Sequence, residues 1–319
     1  MPDLPAAVSY HRAFAAGNSL VVIGGRDRMG NPTRQVLRAA LGRDGSYAKW
    51  IREADLPAAV SDHAAGMVGN MIYVCGGLRE GKSGKGATDE VWLASAGPEG
   101  DGAVKSWESA AKLPAPVYGH GSAVCGTRVY VVGGLTGGDF QHQVLVGELE
   151  GSTIKAWKPV IPLPTAVVYA SVVATDRYLV VIGGQSPGEG KSLIMPTVYV
   201  GPVFQDGSIS TWYLASSKLP GAWLGFGRSQ TSACYHNGML FCFGGQDALW
   251  FLIDAVASAS FDPNRGEVGA WGLKAGPPGI PQVTNAVIWK ENVFLVGGMV
   301  GGKVSGKVFR GAFATEENQ

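Results

Sequence analysis

The chain has 319 residues with a formal net charge of +1; 46% of the residues are hydrophobic and 16% are charged. This near-neutral charge gives no overall electrostatic basis for binding nucleic acid or an anionic membrane surface. The longest apolar stretch, residues 248–259, is too short to insert across a membrane and contains Asp254. Residues 1–16 lack a basic segment followed by an apolar core. We therefore expect no secretory signal, and a location in the cytoplasm or in a particle assembled there.

An apolar run ends in a pair of glycines six times along the chain, at intervals of 50 to 61 residues. The pairs are Gly24-Gly25, Gly76-Gly77, Gly133-Gly134, Gly183-Gly184, Gly244-Gly245 and Gly297-Gly298. A repeat that covers the whole chain predicts an array of six similar units, each of which buries apolar surface against its neighbours. The 48 glycines and 18 prolines are typical of many short strands joined by tight turns.

Each unit shows the same order of predicted elements, and the second unit is a clear example. We predict a first strand over residues 63–68 and, after a tight turn, a second strand over 71–75 that ends at the glycine pair. A loop then leads to a third strand over 90–96 and a fourth strand around Trp107. A tryptophan recurs at this last position in the first five units: Trp50, Trp107, Trp157, Trp212 and Trp271. One large aromatic per unit suits the space between stacked four-stranded sheets.

The glycine pairs, the spaced tryptophans and the Leu-Pro links between units resemble those of kelch-type six-bladed β-propellers. The Asp-Gly-Ser sequences before Trp50 and Trp212 resemble the version common in bacterial proteins. We therefore expect an all-β fold of four-stranded antiparallel blades in one domain over residues 1–319. The expected blades span about residues 4–55, 56–112, 113–161, 162–218, 219–276 and 277–319. The resemblance implies a binding platform more often than an enzyme, and we expect no cofactor.

The sixth unit departs from this pattern, because no tryptophan strand follows its third strand at residues 307–314. We expect the sixth blade to lack a full outer strand, which leaves an unpaired edge. Two interpretations follow. In one, a partner chain or a neighbouring subunit pairs with this edge, as in a homo-oligomer or a larger particle. In the other, the chain's own tails cap it. The edge residues are Lys307, Val308, Phe309 and Arg310.

The four cysteines, Cys75, Cys125, Cys234 and Cys242, all occupy apolar positions of predicted strands. An Asn-Gly turn between Cys234 and Cys242 pairs Cys234 with Phe241, so the two thiols point to opposite faces of the hairpin. We therefore predict buried free thiols rather than a disulfide between them.

The fifth unit contains the most unusual loops. In a four-stranded blade, the link between blades and the loop between the second and third strands lie on the same face of the propeller. In the fifth unit these segments carry Trp223, Phe226, Asp247, Trp250 and Phe251. They predict an exposed aromatic platform that binds a protein or a glycan, or alternatively a set of side chains packed between blades. Our leading hypothesis is a non-enzymatic binding or structural module of a larger assembly.

The first two units bring basic residues into neighbouring loops. These residues are Arg26, Arg28, Arg34, Arg79, Lys82 and Lys85. Such a patch suits a ligand with a carboxylate or phosphate group. The favoured interpretation is a solvated loop surface, because most exposed charges contribute to solubility.

Three histidines occupy matching positions, thirteen residues before the first glycine of their pairs: His11, His63 and His120. Three imidazoles near the channel of adjacent blades would suit a zinc ion, or general acid–base catalysis in a carbohydrate-active enzyme of the mutarotase or lyase type. The favoured interpretation is that they pack within the repeat. Three tyrosines lie one or two positions before the same slot and are candidates to line the channel mouth: Tyr10, Tyr118 and Tyr169.

Overall fold

The computed structural model describes residues 1–79, 86–98, 100–221, 226–276, 279, 281 and 283–313. This part of the chain consists of strands and loops, arranged as six antiparallel sheets in a ring. It contains no helix that could cross a membrane. The predicted all-β, six-bladed propeller is therefore confirmed.

The first two blades are four-stranded sheets in which the chain runs from the innermost to the outermost strand. The first blade contains β1 (Arg12–Ala16), β2 (Ser19–Ile23), β3 (Val36–Ala40) and β4 (Ile51–Arg52). The second contains β5 (Ala64–Val68), β6 (Met71–Cys75), β7 (Val91–Ser95) and β8 (Glu108–Ser109). The predicted strands of the second unit thus agree with the structure to within a residue or two.

The third and fourth blades have the same order, with a small hairpin added in the loop between their second and third strands. The third blade contains β9 (Gly121–Cys125), β10 (Arg128–Val132), the hairpin β11 (Leu135–Thr136) and β12 (Asp139–Phe140), then β13 (Val144–Glu150) and β14 (Thr153–Val160). The fourth contains β15 (Ser171–Ala174), β16 (Tyr178–Ile182), the hairpin β17 (Gln185–Pro187) and β18 (Ser192–Ile194), then β19 (Val198–Pro202) and β20 (Tyr213–Leu214).

The fifth blade has two short outer strands, and the sixth blade has three strands in all. The fifth contains β21 (Ser232–His236), β22 (Met239–Phe243), β23 (Ala255–Asp262), β24 (Glu267–Val268) and β25 (Gly272–Ala275). The sixth contains β26 (Asn285–Trp289), β27 (Asn292–Val300) and β28 (Lys303–Ala312). The absence of a fourth strand in the described part of the sixth blade agrees with the prediction. Cys234 pairs with Phe241 as predicted, and all four cysteines are free.

The glycine pairs hold neighbouring blades together at close range. Both glycines of every pair have positive φ angles, for example 59° at Gly24 and 93° at Gly25. A Cβ atom on Gly24 would lie 2.7 Å from the Val60 carbonyl oxygen of the second blade. The Gly25 amide donates a hydrogen bond to that same oxygen at 2.8 Å. Glycine is required here both for the left-handed backbone and for the close approach.

The tryptophans link the outer parts of neighbouring blades. The Trp107 indole N–H donates to the Ala54 carbonyl at 3.1 Å, and that of Trp157 donates to Ala111 at 2.8 Å. Trp212 makes the matching bond to the Ile161 carbonyl at 3.1 Å. Each indole therefore buries its ring between two blades and also satisfies a carbonyl of the preceding blade.

The N-terminal segment covers part of the open edge of the sixth blade. The Leu4 amide donates to the Gly306 carbonyl at 2.8 Å, and the Asp3 carboxylate accepts from Lys307 at 2.7 Å and from the Val308 amide at 3.3 Å. Further along β28, the Arg310 guanidinium bonds to the Asp44 carbonyl of the first blade. At residues 305–308 the structure therefore follows the second interpretation of this edge, in which the chain's own N-terminal segment caps it. Ala314, at the end of the predicted strand, lies outside the described residues.

A pair of glycine-to-alanine substitutions separates close packing from backbone strain. Gly25 and Gly30 have similar φ angles of 93° and 87°. A Cβ at Gly25 would lie 2.6 Å from His11 Cβ, whereas a Cβ at Gly30 would have no atom within 4 Å. We expect Gly30→Ala to lower the free energy of unfolding by about 1 kcal/mol, from backbone strain alone. Gly25→Ala should lower it by about 3 kcal/mol, because overpacking adds to the same strain.

The measurement is urea unfolding of both variants beside the wild type. Equal losses in the two variants would show that the glycine pair is required only for its backbone angles.

Candidate functional site

The innermost strands surround a central cavity of about 200 Å³ that is lined by residues of all six blades. At the entrance, the residue fourteen positions before the first glycine of each pair has a left-handed backbone. We call these six residues the mouth ring: Tyr10, Asp62, Gly119, Tyr169, Gln230 and Val283. Since five of the six carry side chains, the ring holds a conformation that L-residues rarely adopt.

Main-chain hydrogen bonds between blades stabilise the mouth ring. The Asp62 amide donates to the Tyr10 carbonyl at 3.0 Å, and the Gly119 amide donates to the Asp62 carbonyl at 2.9 Å. The Tyr169 amide donates to the Gly119 carbonyl at 2.7 Å, and the Gln230 amide donates to the Tyr169 carbonyl at 3.2 Å. Four of the six left-handed residues therefore present their amides to the preceding blade, and these bonds offset the strain.

A buried ion pair lies at the mouth ring. Asp62 Oδ2 is 2.7 Å from Arg26 Nη2 and accepts a hydrogen bond from the Ser61 hydroxyl at 2.7 Å. Asp62 Oδ1 accepts from the Tyr169 hydroxyl at 3.1 Å. The Arg26 guanidinium also lies 4.8 Å from the centroid of the Tyr10 ring. The cluster joins residues of blades one, two and four across the channel mouth.

The structure thus places Arg26 differently from the solvated loop surface that we expected for the basic residues. Its guanidinium is buried because Asp62 and Ser61 replace its hydration with charge-assisted hydrogen bonds. Asp62 was not singled out in the sequence. Its position in the repeat could have indicated it, because Asp62 lies fourteen residues before its glycine pair, as Tyr10 and Tyr169 do in their own blades.

The tyrosines at the mouth are held protonated. Burial, followed by the negative charge of Asp62, raises the pKa of Tyr10 and of Tyr118, and raises the pKa of Tyr169 well above its usual value. These phenols therefore act as hydrogen-bond donors at neutral pH rather than as bases.

The other basic residues of the first two loops are positioned separately. Arg34 donates to the Leu56 carbonyl at 2.7 Å. Arg79 pairs with Glu90 and lies 5.4 Å from the centroid of the Trp92 ring. Arg28 is exposed. Lys82 and Lys85 lie outside the described residues.

The three histidines pack between blades. His63 has no exposed surface, and its Cε1 would lie 2.8 Å from a Cβ on Gly24 of the first blade. In the same way, a Cβ on Gly76 would lie against Cε1 of His120, and a Cβ on Gly297 would lie against Cε1 of His11. Neither ring nitrogen of His63 has a hydrogen-bond partner in the described part of the chain. Each imidazole therefore fills the space that a glycine pair leaves in the neighbouring blade.

Burial also keeps these imidazoles neutral. It lowers the pKa of His11 to about 4 and that of His120 to about 3, and lowers the pKa of His63 well below its usual value. In the described residues, no group of three or more His, Cys, Asp or Glu side chains is arranged to hold a metal ion.

The loop between β22 and β23 displays a row of exposed apolar side chains on the same face as the mouth ring. We call Leu249, Trp250, Phe251 and Leu252 the blade-five loop; Trp250 is 46% exposed and Phe251 is 61% exposed. Phe226, from the adjacent link between blades, is 55% exposed, and Lys218 Nζ lies 5.8 Å from the centroid of its ring. Trp223 lies outside the described residues.

Asp247 fixes the conformation of the blade-five loop. Its buried carboxylate accepts hydrogen bonds from the Leu249 amide at 2.9 Å and from the Phe251 amide at 3.0 Å. The Trp250 amide donates to the Asp247 carbonyl at 2.9 Å. The exposed side chains therefore stand on a rigid turn rather than on a loose loop.

The first blade has the same turn without the aromatic residues. Asp27 accepts from the Met29 amide at 2.8 Å and from the Asn31 amide at 2.9 Å. The left-handed residue of that turn is Gly30, whereas the matching residue of the fifth blade is Trp250, with φ of 66°. A tryptophan in place of glycine here costs about 1–2 kcal/mol in backbone strain.

No protein-family model matches the chain. A stretch of 181 residues is 32% identical to human Kelch-like protein 25, and it covers 55% of this chain and 28% of that protein. A stretch of 155 residues is 31% identical to Beta-scruin of Limulus polyphemus, and it covers 47% of this chain and 16% of that protein. The chain thus matches less than a third of the length of these relatives.

The solved structure of YjhT superposes on 97% of this chain and 95% of its own, with a TM-score of 0.73 and 16% sequence identity. At this identity the likeness shows the fold alone. Together with the ring of six sheets, it defines the class: the chain is a six-bladed β-propeller. The similarity to Kelch-like protein 25 and Beta-scruin supports repeats of the kelch type.

The buried histidines make stability depend on pH. The unfolded chain binds a proton at each imidazole below a pH of about 6.5, whereas the folded chain excludes it at His11 until about pH 4. The contribution of the neutral imidazoles to the free energy of unfolding is therefore fully present above about pH 6.5 and is lost as the pH falls towards 4. Each histidine contributes up to about 1.4 kcal/mol per pH unit to this slope. We expect His120→Thr, which copies the residue of the fifth and sixth blades, to reduce the slope by about that amount between pH 6 and 5.

The measurement is the free energy of unfolding in urea from pH 7 to 4.5. His142→Thr, at an exposed position, is the matched control and should keep the wild-type slope. An unchanged slope in His120→Thr would contradict the assignment of acid sensitivity to the buried rings.

The left-handed backbone of Trp250 reverses the usual ranking of alanine and glycine. We expect Trp250→Gly to be about 1 kcal/mol more stable than Trp250→Ala, since alanine at a positive φ is strained. At Phe251, whose φ is negative, we expect Phe251→Ala to be more stable than Phe251→Gly by roughly 0.5–1 kcal/mol. Urea unfolding of the four variants gives both differences, and the same ranking at the two positions would contradict the strained conformation.

Proposed function

We propose that this propeller is a non-enzymatic binding module whose blade-five loop docks a protein partner. The observation that carries the proposal is Trp250, a half-exposed tryptophan that a buried aspartate holds in a left-handed conformation better suited to glycine. Strain of this kind persists where the surrounding structure fixes it, and it occurs often at ligand-binding sites.

The composition of the blade-five loop fits a protein contact. Four consecutive exposed apolar residues form a patch of a kind that soluble proteins rarely present without a use. Tryptophan is enriched among the residues that dominate the energy of protein interfaces. Since Asp247 already orders the turn, little conformational entropy is lost when a partner binds.

A glycan is the weaker candidate for this loop. An aromatic ring can stack on a sugar, but a sugar site also needs polar groups that orient the hydroxyls. The neighbours of Trp250 in the sequence are Leu249 and Phe251, both apolar and exposed. The resemblance to kelch propellers, which are mostly binding platforms, supports a protein partner as well.

The positions of the histidines weigh against the alternative of a mutarotase- or lyase-like enzyme that uses them as acid and base. A general acid or base needs to reach the substrate and to have a pKa near the working pH. His11, His63 and His120 are almost completely buried, and burial keeps the rings neutral.

The experiment is capture of partners from the source cell on immobilised wild-type chain and on a triple variant, Leu249→Ser, Trp250→Gly and Phe251→Ser. Bound proteins are identified by mass spectrometry, and the affinity of each is then measured with purified material. We expect the variant to lose the specific partner, with affinity reduced at least about a hundredfold, because hot-spot residues contribute about 2 kcal/mol or more each and two of them exceed that factor.

The matched control is Tyr213→Ser with Leu214→Ser. These residues are also apolar and exposed, but they lie on the short outer strand β20 of the fourth blade. The control should bind as the wild type does. A triple variant that folds and retains every partner at wild-type affinity would refute the proposal.

A further inference from the structure

Arg12 places a positive charge inside the central channel. It begins the innermost strand β1, and it lines the cavity. Its Nε donates to the His63 carbonyl of the second blade at 2.8 Å, and its Nη2 donates to the His120 carbonyl of the third blade at 3.3 Å. The side chain therefore crosses from its own blade to the two that follow.

The repeat makes room for this long side chain. Arg12 lies twelve residues before the first glycine of its pair, and the same slot in the second and third blades holds Ala64 and Gly121. In the fifth and sixth blades the slot holds Ser232 and Asn285. The guanidinium thus occupies space that two small residues leave free, opposite polar residues.

The charge of Arg12 is not balanced inside the channel. Within the described residues, no ion pair joins Arg12 to a carboxylate. Among the described residues that line the cavity, the acidic one is Asp62, and Arg26 already neutralises it at 2.7 Å. Burial lowers the pKa of Arg12, but a guanidinium stays charged at any physiological pH.

Hydrogen-bond donors remain available around this charge. A guanidinium has five N–H groups, and the two protein carbonyls use two of those on Arg12. Asn285 uses one amide N–H for the His11 carbonyl at 3.0 Å, which leaves its second. The Ser232 oxygen accepts from the Ala286 amide, so its own O–H is free to donate as far as the described residues show. These donors come from blades one, five and six and share one cavity.

We propose that the channel binds a small oxyanion, a carboxylate or a phosphate group, on the guanidinium of Arg12. A partly buried charge without a carboxylate partner is costly, and an anion with a planar or tetrahedral set of oxygens matches the guanidinium donors. A cavity of about 150 Å³ holds benzene, so the 200 Å³ found here admits a ligand of only slightly larger size. This site is separate from the blade-five loop and does not depend on the protein contact proposed for it.

The test is calorimetric titration of the full chain with inorganic phosphate and, separately, with succinate, at constant ionic strength set with sodium chloride. We expect saturable binding of at least one of the two at one site per chain; the responding arm identifies the group as phosphate or carboxylate. Arg12→Gln should weaken that binding by about tenfold or more, because it removes the charge-assisted bonds. Arg12→Lys should weaken anion binding less, since the ammonium keeps the positive charge and loses only the planar, paired N–H donors of the guanidinium.

Arg28→Gln is the matched control, because Arg28 is exposed and should not affect the titration. Absence of saturable binding of both anions by the wild type would overturn the proposal. So would a folded Arg12 variant that binds as tightly as the wild type.

Arg12 also ties three blades together, so neither variant is certain to fold. In that case the anion is located on the wild-type chain, in crystals soaked in selenate, whose selenium gives an anomalous signal. A peak against Arg12 supports the site, while a peak elsewhere, or none, overturns it.

Discussion

The close approach of neighbouring blades at the glycine pairs is the constraint on which the rest of the structure depends. Without a Cβ at Gly24, the Val60 carbonyl can lie directly against the turn and accept the Gly25 amide. The next blade is thereby set at a fixed distance and angle. The described residues show that contact at five of the six blade interfaces, and the buried histidines, the mouth ring and the channel all follow from its repetition.

The fold could be predicted because its requirements are local and are repeated. A glycine pair after an apolar run, and a tryptophan at a fixed later position, each serve the contact between one blade and its neighbour, and that contact recurs at the same place in successive units. The Asn-Gly turn likewise fixed the register of Cys234 against Phe241. The boundaries of the outer strands were less certain, because strands such as β8 have only two residues and their position depends on tertiary contacts.

The candidate sites were harder to predict because their parts meet only when the ring closes. Arg26 and Asp62 belong to different blades, and nothing local in either segment reports the other. The mouth ring has one backbone conformation but chemically unrelated side chains, so no residue pattern marks it. Trp250 could be named as an exposed aromatic from its loop, but its strain became evident only beside the matching Gly30 of the first blade.

The N-terminal segment that covers part of the edge of the sixth blade has a consequence for how the protein is made. The amide of Leu4 finds its acceptor at Gly306, roughly 300 positions further along the chain. During synthesis on the ribosome, this segment stays unpaired until β28 emerges. Contacts between such distant positions form slowly, so blades that stack in order of synthesis remain an open arc until β28 is available. Nascent chains are therefore most exposed to misassembly before β28 has been made, when the first and sixth blades are still apart.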